Sequence, residues 1–336
     1  MKILGIETSC DETAAAVVED GTTILSSVVA SQAAVHHPYG GVVPELASRK
    51  HIESILPVVN QSLSDAGLNP KDLDGVAVTR GPGLVGALLV GFCFAKSFAY
   101  ALNIPWVGVD HLKGHLNSVF LEPPTPPFPF VALLASGGHT AIYHVVSHLQ
   151  AECMGQTLDD AAGEAFDKVA KMLGLGYPGG RVVSEFAEKG NPNAVKFLKA
   201  YHDKNSFNFS FSGIKTAVSR YIQSHQERYQ DQIADIAAAF QKSVVDVLTY
   251  QIIRAAKEKQ CFHIALVGGV AANRNLRMRV GEEAVRNNFR LYLPSMALCG
   301  DNAAMIAALG YQCLKSANGP IGDISDDVYS RGNRSI

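Results

Sequence analysis

Apolar residues in this chain come in short runs that end at turns of small and polar residues. Residues 3–6 form such a run, and Glu7, Thr8, Ser9, Cys10, Asp11, Glu12 and Thr13 end it. Residues 14–18 resume the run until Gly21, so the segment predicts a hairpin of two buried strands. Residues 76–78 predict another buried strand, Arg80-Gly81-Pro82-Gly83 a tight turn, and residues 84–102 a largely apolar helix buried on most sides. A strand over 106–109 follows. Residues 130–134 then give a strand, residues 135–140 a small-residue turn and residues 141–146 a second strand. This repeats the opening order of strand, polar turn ending in Thr, strand, and predicts two lobes of the same design. One more buried strand, over 263–267, runs into Gly268-Gly269 and a helix.

Helical spacing appears in two further places. Leu46, Ile52, Ile55, Leu56, Val59 and Leu63 predict an amphipathic helix interrupted at Pro57, with Glu45, Ser48, Arg49 and His51 on a solvated face. A long helix over about 230–257 carries Ile233, Ile236, Ala237, Phe240, Val244, Val247, Leu248 and Ile252 on a broad apolar face that is core or a partner surface. The Pro-rich stretch 122–129 is the best boundary in the chain. The expected organisation is a first lobe over 1–129, completed by a helix near 301–318, a second lobe over 130–300 with helical insertions, and a polar tail over 319–336.

Composition narrows the classes of partner. With 336 residues, 47% hydrophobic and 18% charged, the chain can bury a large core. A net charge of −2 excludes a whole-surface electrostatic footprint for nucleic acid or acidic membrane, so such a partner must meet a local patch. Arg274, Arg277, Arg279, Arg286 and Arg290, with Lys196, Lys199 and Lys204, are the candidates, although Glu282 and Glu283 among them favour a solvated face. The six cysteines form no CxxC pair, which argues against a disulfide framework and fits a reducing cytoplasm. The opening MKILGIETS is unlike a signal peptide, and the apolar window 84–95 is too short and Gly-rich to cross a bilayer, so no membrane association is expected.

Candidate chemistry centres on His111 and His115. Four residues apart at the start of a helix, two imidazoles face the same way and can converge on one cation, with Asp301 as candidate third ligand. Nitrogen and oxygen donors without thiolate suit iron, zinc or manganese. A zinc peptidase would need HExxH, but Leu112 holds the glutamate position. The first turn, with Ser9, Asp11 and Glu12, offers hydroxyls, backbone N–H groups and carboxylates to a phosphate or carbonyl. Asp159 and Asp160 predict a cap for a helix running through Leu173, with Asp167 on it and Pro178-Gly179-Gly180 a backbone-exposing turn beyond it. Lys215 follows Phe207, Phe209 and Phe211 in a half-buried strand or turn. Three Gly- or hydroxyl-rich turns, each after a buried strand, are what a nucleotide held between two lobes needs.

The motifs GIETSCDET, GGVVPELASR, RGPGLVGALLVG, KSFAYALNIPWVGVDHLKGHL, LLASGGHT, DDAAGEAFDKVAKMLGLGYPGG, FSFSGIKTA, VGGVAANRNLR and CGDNAAM stand in one order over about residues 1–310. In that order the chain resembles the actin, sugar kinase and heat-shock ATPase superfamily, and more closely the TsaD family of tRNA adenosine threonylcarbamoyltransferases. The resemblance implies an α/β fold of two actin-like, ribonuclease H-like lobes, each a mixed sheet flanked by helices, around a central nucleotide and metal cleft. It implies transfer of threonylcarbamoyl from threonylcarbamoyl-AMP to N6 of the adenosine next to the anticodon, position 37, in tRNAs reading codons that begin with A, with release of AMP. By resemblance His111, His115 and Asp301 match the metal ligands, with iron favoured and zinc second. Leu134, Ala135, Ser136, Gly137 and Gly138, with Asp167, Gly180 and Asn273, match nucleotide and substrate contacts, and Gly268-Gly269 is the glycine turn facing adenosine. Ser9, Asp11 and Glu12 match the turn near the reactive centre. The paralogue TsaB, as a heterodimer partner, and the P-loop ATPase TsaE are implied alongside tRNA. The sequence departs from the family at its end, where DISDDVYSRGNRSI stands in place of a tail of the VRPRW type. A kinase or ATPase of the same fold is the alternative, though its magnesium is normally held without histidines.

Overall fold

The computed structural model describes residues 1–197, 206–316 and 322–330. Lys199 and Lys204 lie outside the described residues, as does part of the expected polar tail. The chain divides into two units, one of Met1–Thr125, Val146–Ala151 and Pro294–Ile336, the other of Pro126–Val145 and Glu152–Leu293.

The first unit opens with β1 (Lys2–Glu7), β2 (Glu12–Glu19) and β3 (Thr23–Ser31), joined antiparallel, followed by α1 (Ala33–His36) and α2 (Pro44–Asp65). Then come β4 (Gly75–Gly81), α3 (Val85–Leu102), β5 (Trp106–Asp110) and α4 (His111–Asn117). The strands form one five-stranded sheet in the order β3-β2-β1-β4-β5, with β4 parallel to both β1 and β5. Alternate residues face opposite sides, so Ile3, Ala14, Ala16 and Val18 join one buried cluster while Leu4, Ile6, Ala15 and Val17 join another. Because both faces are covered, these strands read as unbroken apolar runs rather than as alternating ones.

The second unit has the same strand plan. β6 (Phe130–Ala135), β7 (Thr140–Val145) and β8 (Ala151–Gln156) lead to α5 (Ala162–Met172), α6 (Gly179–Ala187), α7 (Ser212–Ser224) and α8 (Ile233–Glu258). β9 (His263–Val267), α9 (Arg274–Arg286) and β10 (Arg290–Tyr292) complete it, in the sheet order β10-β9-β6-β7-β8. Both sheets therefore place a first strand centrally, an antiparallel hairpin on one side and two parallel strands on the other. Phe166 of α5 meets Phe240 of α8 edge to face at 5.1 Å between centroids, and Phe130 and Leu133 of β6 are buried in the same unit.

The chain then returns to the first unit as α10 (Ala303–Lys315), which crosses β1 where Gly5 has no side chain; a Cβ there would stand 2.1 Å from the Ala303 carbonyl oxygen. This close approach explains the run of small residues in α10, since larger ones would lift the helix off the sheet.

Besides α3, expected to be buried on most sides but exposing Val85, Leu89 and Tyr100, three sequence expectations change. First, α2 is not interrupted at Pro57 but runs 22 residues through it. Pro57 and Glu53 both face solvent, so water can serve the carbonyl that proline leaves without a donor. Second, Ile52 and Leu56 on the same helix are 65% and 55% exposed, while His51, expected on the solvated face, is fully buried. Third, neither Asp159 nor Asp160 caps the helix that follows; Ala161 stands at its N-cap position with no side-chain bond. Asp159 accepts from the backbone of Phe211 at the start of α7, and Asp160 pairs with Lys168 and Lys215, each at 2.6 Å.

His51 ties α2 to the hairpin. Its Nε2 lies 2.9 Å from the Cys10 carbonyl, which only accepts, so Nε2 carries the proton and Nδ1 accepts from the Thr13 hydroxyl at 2.8 Å. Burial holds this imidazole below its ordinary 6.5, against the opposing pull of the Cys10 carbonyl. The unfolded chain takes up the proton first as pH falls. The stability carried by neutral His51 is thus complete above 6.5 and lost as pH drops through the lower folded value. His51→Gln should cost about 1 kcal/mol at neutral pH through the lost bond. Its melting temperature should then fall less between about pH 8 and about pH 5 than the parent's does; equal slopes in thermal denaturation would refute the assignment.

Candidate functional site

In the first unit the polar turn after β1 and the start of α4 meet at one carboxylate. Glu7 ends β1 with no exposed surface. One of its oxygens accepts from the Ser9 backbone at 2.5 Å; the other accepts from the Thr79 hydroxyl of β4 at 2.6 Å and lies 2.9 Å from His111 Nδ1. Burial by itself would raise the Glu7 carboxyl, but the His111 imidazole beside it prevails and holds it below its ordinary value. His111 is correspondingly raised, because Glu7 and Asp301 outweigh its own burial.

With Nδ1 turned to Glu7, His111 presents Nε2 in the other direction, 3.6 Å from Asp301. His115, one helical turn on and fully buried, places Nε2 3.1 Å from the same Asp301 oxygen. The two rings stand 4.7 Å apart and nearly perpendicular. The sequence explains this locally: Asp110 caps α4 by accepting from Leu112 and Lys113 at 2.8 and 3.0 Å, which fixes the helix start from which both histidines are counted. Asn302 caps α10 through Met305 N, which places Asp301 immediately before that helix. His111, His115 and Asp301 all offer ligand atoms within 4.8 Å of one another. Two imidazoles and a carboxylate make the facial donor set used for iron, and they also suit zinc. His115 Nδ1 is buried without a partner among the described residues.

The first turn adds Ser9, whose hydroxyl lies 3.3 Å from His111 Nδ1, with Asp11 and Glu12 beyond it. Glu12 accepts from the Ser31 hydroxyl at 3.0 Å through one oxygen, while the other is buried without a partner among the described residues. Burial, with Asp11 next in effect, pushes the Glu12 carboxyl up to about 8. Glu7 and Thr79 were not recognised as site residues from the sequence. The available signal was an acidic residue closing an apolar strand directly before a hydroxyl-rich turn.

The second unit assembles the other group of candidates. The β6–β7 turn is closed by Ser136, whose backbone N–H donates to the His139 carbonyl at 2.7 Å and whose own carbonyl accepts from Gly163 at 3.1 Å. Gly268, with φ of +90°, lies against the Ala135 carbonyl, so the turns after the parallel strands β6 and β9 touch. Leu134 and Ala135 keep their side chains in the core, leaving only backbone to meet a ligand. Gly137, Gly138, Gly180 and Gly269 have open space where a Cβ would stand. Asp167 accepts from Gly179 N at 2.7 Å and so fixes the start of α6. Asn273 caps α9 through Leu276 N and donates to Ser184 and Gln241 at 3.0 and 2.7 Å, which occupies both of its amide hydrogens. Lys215 is used in its ion pair with Asp160.

The arginine group is largely paired. Arg279 reaches Asp246, Glu282 and Glu283; Arg286 pairs with Glu283, Arg274 lies near Glu188, and Arg277 donates to the Ala271 carbonyl. Arg290 lies over the Tyr292 ring, and Lys196 is exposed.

Two five-stranded mixed sheets of one plan, flanked by helices, make this an actin-like ATPase fold. The solved structures similar to it include full-length HypF in a phosphate- and nucleotide-bound form, with TM-score 0.63 and 16% identity over 94% of this chain and 47% of that one. T. kodakarensis HypF gives 0.64 at 15%, covering 94% and 48%. At these identities the likeness concerns the fold. The family model of TsaD, tRNA N6-adenosine threonylcarbamoyltransferase, matches residues 23–308. The tRNA N6-adenosine threonylcarbamoyltransferase of Desulforapulum autotrophicum is 59% identical over 331 residues, 98% of this chain and 99% of that one. That of Clostridium novyi is 50% identical over 324 residues, covering 96% and 95%. The chain belongs to the TsaD family.

The raised Glu12 carboxyl gives a test of its burial. Its folded value of about 8 lies above the ordinary 4.5, so the stability it carries is complete below 4.5 and lost as pH rises through 8. In metal-free protein Glu12→Gln should therefore melt above the parent at about pH 9 and close to it at about pH 4.5. A variant that melts below the parent at alkaline pH would show that ionised Glu12 is stabilised there.

Proposed function

We infer that this protein transfers the threonylcarbamoyl group of threonylcarbamoyl-AMP to N6 of adenosine 37, beside the anticodon of tRNAs that read A-starting codons, releasing AMP. The observation that carries the reading is the convergence of His111, His115 and Asp301 in a member of the TsaD family. These three would hold one divalent ion, with iron the first choice and zinc the second. Such an ion, when bound, would supply a Lewis acid toward the donor's oxygens.

The chain's own residues then have definable tasks. Glu7 holds His111 by Nδ1 and so commits Nε2 to the ligand position. Leu134, Ala135, Ser136, Gly137 and Gly138, with Gly180, Gly268 and Gly269, would offer backbone groups and open space to the AMP part of the donor. Asp167 and Asn273 would act by holding α6 and α9 in register for that contact. In the transfer the adenine N6 forms a bond to the carbamoyl carbon and the bond from that carbon to the phosphate oxygen breaks. The proton lost from N6 goes to a carboxylate of the first turn. Glu12 suits this role because its carboxyl, raised to about 8, makes the ionised form a stronger base than an ordinary carboxylate while a fraction of it stays ionised near neutral pH. Asp11 and Ser9 would orient it.

tRNA is the acceptor, met by a local basic patch. The paralogue TsaB and the ATPase TsaE are the proposed protein partners. Exposed Ile52 and Leu56 on α2, with Val85, Leu89 and Tyr100 on α3, support a protein surface docking to this face. α3 is long and apolar enough by composition to cross a membrane, but Ala87, Leu88, Gly91, Phe92, Ala95 and Ala99 are buried in the first unit. A reducing cytoplasm is the proposed compartment, consistent with six cysteines that are all free thiols. A small-molecule kinase of the same fold is the weaker reading, because imidazoles are poor ligands for magnesium.

The test supplies threonine-labelled threonylcarbamoyl-AMP and tRNA, with and without TsaB and TsaE. Label should enter tRNA, and His111→Ala should lose bound metal and at least about 100-fold of the transfer rate while remaining folded. Absence of label in every combination, with ATP consumed on another acceptor, would favour the kinase.

A further inference from the structure

Residues 322–330 lie beyond the motifs that define the family resemblance, and they are polar and partly exposed. They are nonetheless bonded along their length to the first unit. Gly322 N donates to the Trp106 carbonyl at 2.7 Å. Lys96, standing over the Phe92 and Trp106 rings, donates to the carbonyls of Ile324 and Asp326 at 2.7 and 2.6 Å. Arg80 donates to the Asp327 carbonyl at 2.6 Å and pairs with Asp326 at 3.2 Å, while its own carbonyl accepts from Tyr329 N at 3.1 Å. At Gly81 a Cβ would stand 2.2 Å from the Tyr329 carbonyl oxygen, so the bare backbone there is what lets the segment seat.

The last of these contacts leads to the candidate metal centre. Asp110 Oδ1 is spent on the start of α4, and Asp110 Oδ2 accepts the Tyr329 hydroxyl at 2.5 Å. α4 has only seven residues, too few to hold its own direction by internal hydrogen bonds, so its cap and its packing decide where it points. His111 follows the cap directly and His115 lies one turn further. We propose that Tyr329 is a positioning residue: by holding Asp110 it fixes the start of α4 and thereby the aim of the His111 and His115 ring nitrogens. This extends the reading of His111, His115 and Asp301 as ligands and rests on it.

Cobalt(II) serves as the probe, titrated into metal-free full-length protein and followed by its ligand-field absorption. Tyr329→Phe removes one hydroxyl and keeps the ring, and Asp110→Asn keeps the cap oxygen while replacing the acceptor of the Tyr329 hydroxyl by an amide NH2. Each should bind cobalt about tenfold more weakly than the parent, with an altered ligand-field band. The double variant should lose little beyond either single one, because both act on the same bond. A purely structural role would lower the melting temperature and leave affinity and band unchanged, and that result overturns the proposal. His111→Ala is measured alongside. If it binds cobalt as the parent does, the ligand reading fails and the positioning role with it; if it loses cobalt while Tyr329→Phe does not, only the positioning role fails.

Discussion

A carboxylate with no access to water must be matched by donors, and in this protein the match made at Glu7 organises the polar end of the first sheet. Ser9 N–H, the Thr79 hydroxyl and the His111 imidazole all converge on it. Each comes from a different part of the chain: the turn after β1, the neighbouring strand β4, and the helix after β5. Removing any one donor would leave charge unsatisfied in a low-dielectric setting, where the cost is several times that of an exposed loss. The same arrangement settles which face of His111 is available, since a ring nitrogen given to Glu7 leaves only the other one for Asp301. Structural need and chemical aim are met by one set of contacts.

Around that centre the fold supplies short levers from rigid elements. The parallel strands β1, β4 and β5 end on the same side, so the turns at residues 8–11 and 82–84 and the start of α4 are neighbours. Leu84 N donates to the Ser9 carbonyl at 2.8 Å, tying the first two of these together. α10 lies flat on β1 because Gly5 and its own small residues allow it, and this closeness brings Asp301 within reach of both histidines. In the second unit the same strand plan places the turns after β6 and β9 side by side, with open glycines at their tips. A duplicated topology thus produces two differently furnished strand ends, one rich in carboxylates and imidazoles, the other in bare backbone.

Much of this was legible in the residues. Strand ends were marked by abrupt changes from apolar to small and polar residues, and the spacing of His111 and His115 indicated a shared helical face. Other features were hidden for physical reasons. Pro57 reads as a helix breaker, but a proline whose orphaned carbonyl faces water is tolerated within a helix that packing holds on its opposite side. Ile52 and Leu56 read as core because helical periodicity gives a stripe without saying how wide the covering surface is. Asp159 and Asp160 read as a cap for the next helix in sequence, whereas Asp159 takes its donors from residues 210–212 and Asp160 pairs with the side chains of Lys168 and Lys215.

Sequence by itself determined the strand and turn order, the duplicated plan, the membership of the TsaD family and the choice of His111, His115 and Asp301 as candidates that the structure brings together. These depend on local pattern and on residue type, which survive without coordinates. Tertiary structure decided the pairing of Glu7 with His111 and Thr79, the burial of His51, the bonds of Asn273 to Ser184 and Gln241 and the seating of Tyr329 on Asp110. Each of these joins residues far apart in the chain, and which donor meets which acceptor is fixed only when packing has brought the elements together.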